Sequence, residues 1–124
     1  MTHQHINLPH RPGNFPFSDA VMVNDTLYLA GRLGLDPATR KPPENVEQEV
    51  RLIFDGISRV LEQAGLTMNH LVFVQVFCSD VKLFDQFNTV YRTYFQEPFP
   101  ARAFLGSGTL LYGCRFEVQC IAAK

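Results

Sequence analysis

Apolar and polar residues follow strand-like spacing in the first third of the chain. Two short runs rich in strand-forming residues, 20–23 and 26–31, are joined by Asn24-Asp25. Because Asn and Asp tolerate the positive φ of a tight turn, these runs predict a β-hairpin. Gly31 ends the second run, where it either is a strand terminator or bulge or, through its missing Cβ, lets a ligand or another backbone come close.

A helical period replaces the strand period after a proline-rich loop. Residues 46–64 carry apolar side chains at spacings of three and four, which predicts an amphipathic helix. Asn45 with Gln48 resembles a capping box, and Gly65 is a stop signal. The opposite face carries charges of both signs, among them Glu49, and we expect that face to be solvated.

The second half of the chain predicts three strands and one more helix. Residues 71–78 are almost entirely apolar and predict a strand covered on both faces. Apolar positions from Leu83 to Tyr94 repeat at helical spacing, and we interpret their aromatic stripe as core. Strands follow at 101–105 and 113–122. The order ββ-α-β-α-ββ predicts an α+β sandwich, a mixed sheet with two helices on one face and the other face left for a neighbour to cover.

The first 16 residues fit neither period. Residues 1–16 are polar and contain three prolines, so we predict an extended N-terminal arm. His3 and His5 in this arm resemble a metal-binding pair, but no third ligand lies nearby in the sequence, and we interpret the arm as solvated.

Composition limits the class of protein. The 124 residues predict a single domain, 1–124, and the balance of 11 basic against 12 acidic residues argues against a nucleic-acid binder. Three cysteines without zinc-site spacing favour a reducing compartment. No apolar run approaches the roughly 20 residues of a membrane span, so we expect a cytoplasmic protein without membrane contact.

One charged residue stands out. Arg102 is the only charge between Pro98 and Gly113 and lies among apolar neighbours. Such a guanidinium needs a partner, and its planar fork suits a carboxylate. It is either a structural salt bridge to Glu117 or an anion-binding group. Glu117 is correspondingly either a counter-ion, of Arg102 or Arg115, or a carboxylate that holds and activates water.

These residues belong to a longer pattern. The chain resembles the reactive intermediate deaminase family (RidA or YjgF, formerly described as endoribonuclease L-PSP) from Pro16 to the C-terminus. The most specific segment is Pro100-Ala101-Arg102-Ala103-Phe104-Leu105, which continues to Phe116-Glu117-Val118. Residues 27–31, 76–80 and 88–95 support the resemblance.

The resemblance implies a chorismate-mutase-like fold assembled as a homotrimeric barrel, with clefts between subunits. It also implies hydrolysis of 2-imino or 2-enamino acids to 2-oxo acids and ammonia, without cofactor or metal. By position, Arg102 matches the residue that binds the substrate carboxylate, and Glu117 the one that orients the attacking water. Gly31 matches a backbone contact to the ligand, and Asn88 a residue lining the cleft.

Three positions depart from the family pattern. Phe17 stands where many active members have tyrosine, Ala30 where serine is frequent, and Phe104 where cysteine is frequent. Phe17 and Phe104 are therefore apolar candidates for substrate binding, and Phe104 shares a strand face with Arg102. These departures keep a second hypothesis open, a non-catalytic trimer that binds small carboxylates or partner proteins. RNA cleavage is disfavoured by the balanced charge and by the lack of a His/Lys pair.

Overall fold

Seven strands and two α-helices make up the part of the chain that the computed structural model describes, residues 2–11 and 13–124. The strands are β1 (His3–Ile6), β2 (Ala20–Val23), β3 (Thr26–Leu29), β4 (Arg32–Leu33), β5 (Leu71–Cys78), β6 (Ala101–Gly106) and β7 (Phe116–Ala123). The helices are α1 (Val46–Gln63) and α2 (Phe84–Tyr94), and short 3₁₀ turns precede β5, α2 and β7.

The strands form one mixed sheet in the order β1-β2-β3-β7-β5-β6, with β4 paired to β7. The pair of β5 and β6 is parallel, and the other pairs are antiparallel. The chain between β5 and β6 contains α2, as a parallel connection requires. Strand β6 is last in this order and is therefore an edge strand. It lies beside α2, the helix of the connection that leads to it.

The predicted local signals form as expected. The Asn45 carboxamide oxygen accepts the Gln48 backbone N–H at 2.8 Å and caps α1. Asn24 adopts φ 54° in the turn of the β2–β3 hairpin. These contacts confirm the predicted α1 start and the hairpin, since each depends on residues close in sequence.

The core lies between the helices and one face of the sheet. Phe54 of α1, Phe87 of α2 and Phe116 of β7 are all fully buried. The Phe87 ring centroid lies 5.9 Å from that of Phe54 and 5.1 Å from that of Phe116. Alternate residues of β7, including Val118, are buried on the same side. The predicted α+β arrangement, with both helices on one face of a mixed sheet, is confirmed; the trimeric barrel stays a prediction.

Two strands were not expected. Residues 3–6 of the polar arm pair antiparallel with β2, and Arg32–Leu33 pairs with β7 at the edge of the proline-rich loop. In β1 only Ile6 is buried, so an exposed edge strand leaves no alternating apolar pattern to read. The arm is thus extended, as predicted, but part of it belongs to the sheet.

The expectation of a solvated charged face on α1 is wrong for Glu49. This carboxylate is fully buried and accepts hydrogen bonds from the Arg115 backbone N–H (2.8 Å), the Arg115 Nε–H (2.7 Å) and the Phe116 backbone N–H (3.2 Å). The Arg115 guanidinium also donates to the carbonyl oxygens of Pro43 and Glu44. Burial of Glu49 is possible because three N–H groups of Arg115 and Phe116 donate to its carboxylate.

None of the helices in the described residues combines the length and the apolar character that crossing a membrane requires.

Candidate functional site

Arg102 lies on edge strand β6 with its side chain on the helix-covered face. It is in register with Val74 of β5, which is fully buried on that face. Helix α2 packs beside it, and Arg102 Nη1–H donates to the Asn88 carboxamide oxygen at 2.7 Å. The strand and the helix together hold the guanidinium at the edge of the sheet, half-buried and facing outward past α2.

Aromatic rings surround the guanidinium. Its central carbon lies 4.7 Å from the ring centroid of Tyr91, 5.6 Å from those of Phe84 and Phe104, and 5.9 Å from that of Phe87. Such contacts stabilise a cation without neutralising it. No ion pair among the described residues involves Arg102. The arginine therefore keeps its full charge and has N–H groups free for a further acceptor.

An open cleft of about 330 Å³ lies in front of this charge. It is lined by Phe84, Asn88, Tyr91, Arg92, Phe99, Pro100 and Arg102. Two of these residues are cationic and none is acidic, while most of the remaining wall is aromatic. A small organic carboxylate matches both properties, because its charge meets the arginines and its carbon chain meets the rings.

Burial shifts the pKa values of Arg102 and Tyr91, at the centre of the cleft, in opposite directions. Burial, with a smaller contribution from the charge of Arg92, lowers the pKa of Arg102, while Tyr91 opposes the shift. The guanidinium nevertheless stays protonated near neutral pH, because the ordinary pKa of arginine lies far above that range. Burial raises the pKa of Tyr91 to about 12 despite the nearby Arg102, so its hydroxyl stays neutral. That hydroxyl is buried without a hydrogen-bond partner in the described residues.

Glu117 and Gly31 form a second group of candidate residues. Glu117 of β7 is in register with Leu33 of β4, directly after Gly31 and Arg32. A methyl group built on Gly31 would lie less than 3.0 Å from Glu117 Oε2 and 3.1 Å from its Cδ. The missing side chain at Gly31 therefore leaves the space that the Glu117 carboxylate occupies. Gly31 also lies between the end of β3 at Leu29 and the start of β4 at Arg32, as a strand end would, and its contact with a ligand stays a prediction.

The two groups lie on opposite faces of the sheet. Glu117 is in register with Phe77, whose neighbour on β6 is Leu105, whereas Arg102 is in register with Val74. Side chains alternate between faces along a strand, and positions 74 and 77 differ by an odd number of residues. The predicted salt bridge between Arg102 and Glu117 is therefore wrong within one chain. Glu117 is also not the counter-ion of Arg115, which pairs with Glu49.

The two phenylalanine candidates are separated as well. Phe104 lies beside Arg102, and its ring centroid is 5.0 Å from that of Phe84. The shared strand face predicted for Phe104 and Arg102 is confirmed. Phe17 is half-exposed in the segment before β2, stacked on Phe15 at 5.2 Å, and does not line the cleft.

Five residues that line the cleft are not among the predicted site residues: Phe84, Tyr91, Arg92, Phe99 and Pro100. The sequence pattern predicts the aromatic stripe of α2 as core, and Tyr91 is buried there. The Tyr91 ring also forms part of the cleft wall. The sequence signal for Tyr91 is its position three residues after Asn88, which places both residues on the same face of α2. Within residues 2–11 and 13–124, no three His, Cys, Asp or Glu side chains come together as a metal site would require.

Comparisons with known proteins cover almost the whole chain. The family model described as endoribonuclease L-PSP matches residues 9–124. The 2-iminobutanoate/2-iminopropanoate deaminase of Bos taurus is 37% identical over 110 residues, which are 88% of this chain and 80% of the bovine protein.

Solved structures of similar proteins share the fold. RidA of an Antarctic Psychrobacter superimposes with a TM-score of 0.89 at 31% identity, covering 98% of this chain and 99% of that one. The Rid family protein YyfA of Yersinia pestis gives a TM-score of 0.91 at 29% identity, covering 99% of this chain and 100% of that one.

Proposed function

Because the chain belongs to the reactive intermediate deaminase family, also described as endoribonuclease L-PSP, we propose that it hydrolyses 2-imino and 2-enamino acids to 2-oxo acids and ammonia. The observation that supports this activity most is Arg102, a half-buried cation in an aromatic cleft with no carboxylate partner among the described residues. An internal carboxylate would have neutralised it; its absence leaves the charge for a ligand.

Substrate binding uses the free N–H groups of Arg102. Asn88 accepts one N–H from Nη1 at 2.7 Å, which fixes the plane of the guanidinium. The remaining donors can form two parallel hydrogen bonds to the substrate carboxylate. The 2-imino carbon is bonded directly to that carboxylate, so binding it also fixes the position of the reacting carbon.

The reaction needs only water and proton transfer. Water adds its oxygen to the C=N carbon while one of its protons moves to the imine nitrogen, which gives a carbinolamine. The C–N bond then breaks with its electron pair on nitrogen, the hydroxyl loses its proton to the departing ammonia, and the 2-oxo acid forms. A 2-enamino acid first takes a proton at C3 and loses one from nitrogen, which gives the imine. The proposed role of Glu117 is to orient the water and carry its proton.

The placement of these residues favours a site shared between two copies of the chain. Arg102 and Glu117 lie on opposite faces of one sheet, so a substrate cannot contact both within one chain. We infer that one copy supplies Arg102, Asn88 and Phe104, and that a second supplies Glu117, Gly31 and Phe17. In the homotrimer that the family resemblance implies, each head-to-tail interface would hold one such site.

The departures from the family pattern affect the polarity of this site. Phe17 and Phe104 bring apolar rings and no hydroxyl or thiol, and Ala30 has no side-chain donor. The proposed chemistry does not need these groups, because the carboxylate, the water and the proton are already assigned to Arg102 and Glu117. We expect the substitutions to alter substrate range more than reaction type.

The test is hydrolysis of 2-iminobutanoate generated in place by an amino-acid dehydratase or oxidase. We expect the protein to accelerate imine loss over buffer. Arg102→Ala should lower kcat/KM by about a hundredfold, since it removes charge-assisted hydrogen bonds. Glu117→Gln should lower kcat by about 10² or more. Arg51→Ala, which removes an exposed arginine paired with Glu47, is the matched control and should behave like the wild type.

Two results would contradict the proposal. No acceleration over buffer would remove the enzymatic role, and full activity of Arg102→Ala would remove the assigned site. Calorimetry with 2-oxobutanoate separates the second hypothesis: binding that depends on Arg102 without turnover of any imine would indicate a non-catalytic carboxylate-binding protein.

A further inference from the structure

Asp19 is a buried carboxylate that joins three separate segments of the chain. Asp19 is the residue directly before β2, and its exposed fraction is 8%. Its Oδ2 accepts the Leu8 backbone N–H at 2.8 Å, and its Oδ1 lies 3.1 Å from Arg11 Nη1 and 3.8 Å from Arg32 Nη2. Its backbone oxygen accepts the Ala30 N–H at 2.9 Å. The arm, the start of β2 and the segment around Gly31 therefore converge on one residue.

Arg11 extends this network to Phe17. Its Nη2–H donates to the Phe17 carbonyl oxygen at 2.8 Å, while Nη1–H donates to Asp19. The same guanidinium lies 5.5 Å from the ring centroid of Phe15 and 5.8 Å from that of Phe17. One arginine thus holds both the backbone and the ring of Phe17.

The segment that carries Phe17 makes few other hydrogen bonds within the described residues. Residues 13–18 contain no strand or helix, and Phe17 itself is half-exposed. Outside the Arg11 contacts, the side chain of Ser18 meets His5 Nδ1 at 3.2 Å on the surface. A planar guanidinium can satisfy two acceptors in fixed directions, which a lysine ammonium does not do. Arg11 is therefore suited to fix the orientation of this segment.

We propose that Arg11 and Asp19 are a pair of positioning residues that hold Phe17 and the Gly31 segment in place for substrate binding. The inference rests on the proposed function, in which Phe17, Gly31 and Glu117 form one side of the shared site. Neither Arg11 nor Asp19 touches the substrate in this arrangement. They act through the Phe17 carbonyl and ring and through the Ala30 N–H, next to Gly31.

The pair predicts a specific kinetic signature. A misplaced Phe17 weakens contacts that substrate and transition state share, which raises KM and leaves kcat unchanged. Arg11→Ala should raise KM by about tenfold, equivalent to one charge-assisted hydrogen bond, with kcat within about twofold of wild type. Arg11→Lys, which keeps the charge but not the fork, should give an intermediate KM.

The experiment measures KM and kcat for 2-iminobutanoate with Arg11→Ala, Arg11→Lys and Asp19→Asn, and amide hydrogen exchange of residues 13–18 in each variant. Arg51→Ala again serves as control, since it removes an arginine from an ion pair on a different surface. We expect a raised KM together with faster exchange of residues 13–18 in Arg11→Ala and Asp19→Asn, and neither change in Arg51→Ala. If Asp19→Asn does not fold, the two Arg11 variants carry the test alone.

Failure of this inference is distinguishable from failure of the proposed function. If the wild-type protein turns over the imine and Arg11→Ala has an unchanged KM, the positioning role is wrong and the deaminase activity is unaffected. A fall in kcat without a change in KM would also overturn the positioning role, because the pair would then act on the chemical step. Absence of wild-type turnover would overturn the proposed function, and the positioning role with it.

Discussion

Gly31→Ala is a substitution that should separate catalysis from folding. Gly31 has no positive φ, so alanine suits the backbone there, and the change concerns only the space beside Glu117. The new methyl group would lie less than 3.0 Å from Oε2, 3.1 Å from Cδ and 3.3 Å from Cγ of Glu117. Every one of these atoms belongs to a flexible side chain, which can move away.

The size of the effect follows from these distances. Ordinary contacts between heavy atoms are roughly 3.5–4.0 Å, so the Glu117 carboxylate must retreat by roughly 1 Å. A displacement of that size in a group that orients a reactant lowers the rate by about 10². The unfolding free energy should change by less than about 1 kcal/mol, because loss of glycine flexibility in the unfolded chain partly offsets the side-chain shift.

The assay compares Gly31→Ala with Gly34→Ala as its matched partner. A methyl group at Gly34 would clash with the backbone of α1, because it would lie less than 3.0 Å from the Glu49 carbonyl oxygen and 3.1 Å from the Glu49 carbonyl carbon. A backbone cannot retreat as a side chain does, so Gly34→Ala should lower stability by about 1–3 kcal/mol. Urea unfolding measures this difference, and 2-iminobutanoate turnover measures the loss of kcat.

Wild-type kcat in a folded Gly31→Ala would contradict the proposed role of Glu117, because the Glu117 carboxylate would then have moved without consequence. A large loss of stability in Gly31→Ala would refute it differently, by showing that Glu117 cannot yield its position. The expected pattern is low kcat with near-normal stability at Gly31, and low stability at Gly34.

Four further predictions concern other parts of the structure. Glu49→Ala should lower the unfolding free energy by about 3–5 kcal/mol in urea titrations, because it leaves buried donors at the start of β7 unpaired. Burial raises the pKa of Cys114 to about 11 and that of Cys120 to about 12, so thiol reagents at pH 8 should label them only after unfolding. Above the ordinary thiol pKa of 9.0, the unfolded chain loses protons that the folded chain keeps, so stability measured by urea titration should fall as pH rises. Asn88→Asp should raise KM by more than about tenfold, because it supplies the carboxylate that Arg102 lacks.

The parts of the fold that could be predicted from sequence are those with a local cause. The capped helix α1 and the hairpin at Asn24 each depend on residues within a few positions of one another. Strand β1 could not be predicted, because its residues pair with residues 14 to 20 positions further along the chain and all its side chains except Ile6 are polar and exposed. Burial of Glu49 depends on Arg115, 66 residues further along the chain, and helix periodicity carries no signal of that pairing.

The candidate site likewise combines a residue that the sequence predicts with contacts that it does not predict. Arg102 could be identified as a lone charge in an apolar strand, but of its two interpretations the salt bridge to Glu117 is wrong within one chain. Whether Arg102 and Glu117 share a face depends on the register of β6 and β7 against β5, which no short sequence pattern specifies. The contact between Gly31 and Glu117 likewise arises from the pairing of β4 with β7.

The shared site is tested most directly by mixing two inactive variants, Arg102→Ala and Glu117→Gln, under conditions that allow subunits to exchange. In a closed trimer each site takes its arginine from one copy and its glutamate from the next, so random mixing in equal amounts restores about one quarter of the sites. We predict recovery of about one quarter of wild-type turnover in the mixture, while each variant alone stays inactive. A mixture as inactive as its two parents would contradict a site built from Arg102 of one copy and Glu117 of another.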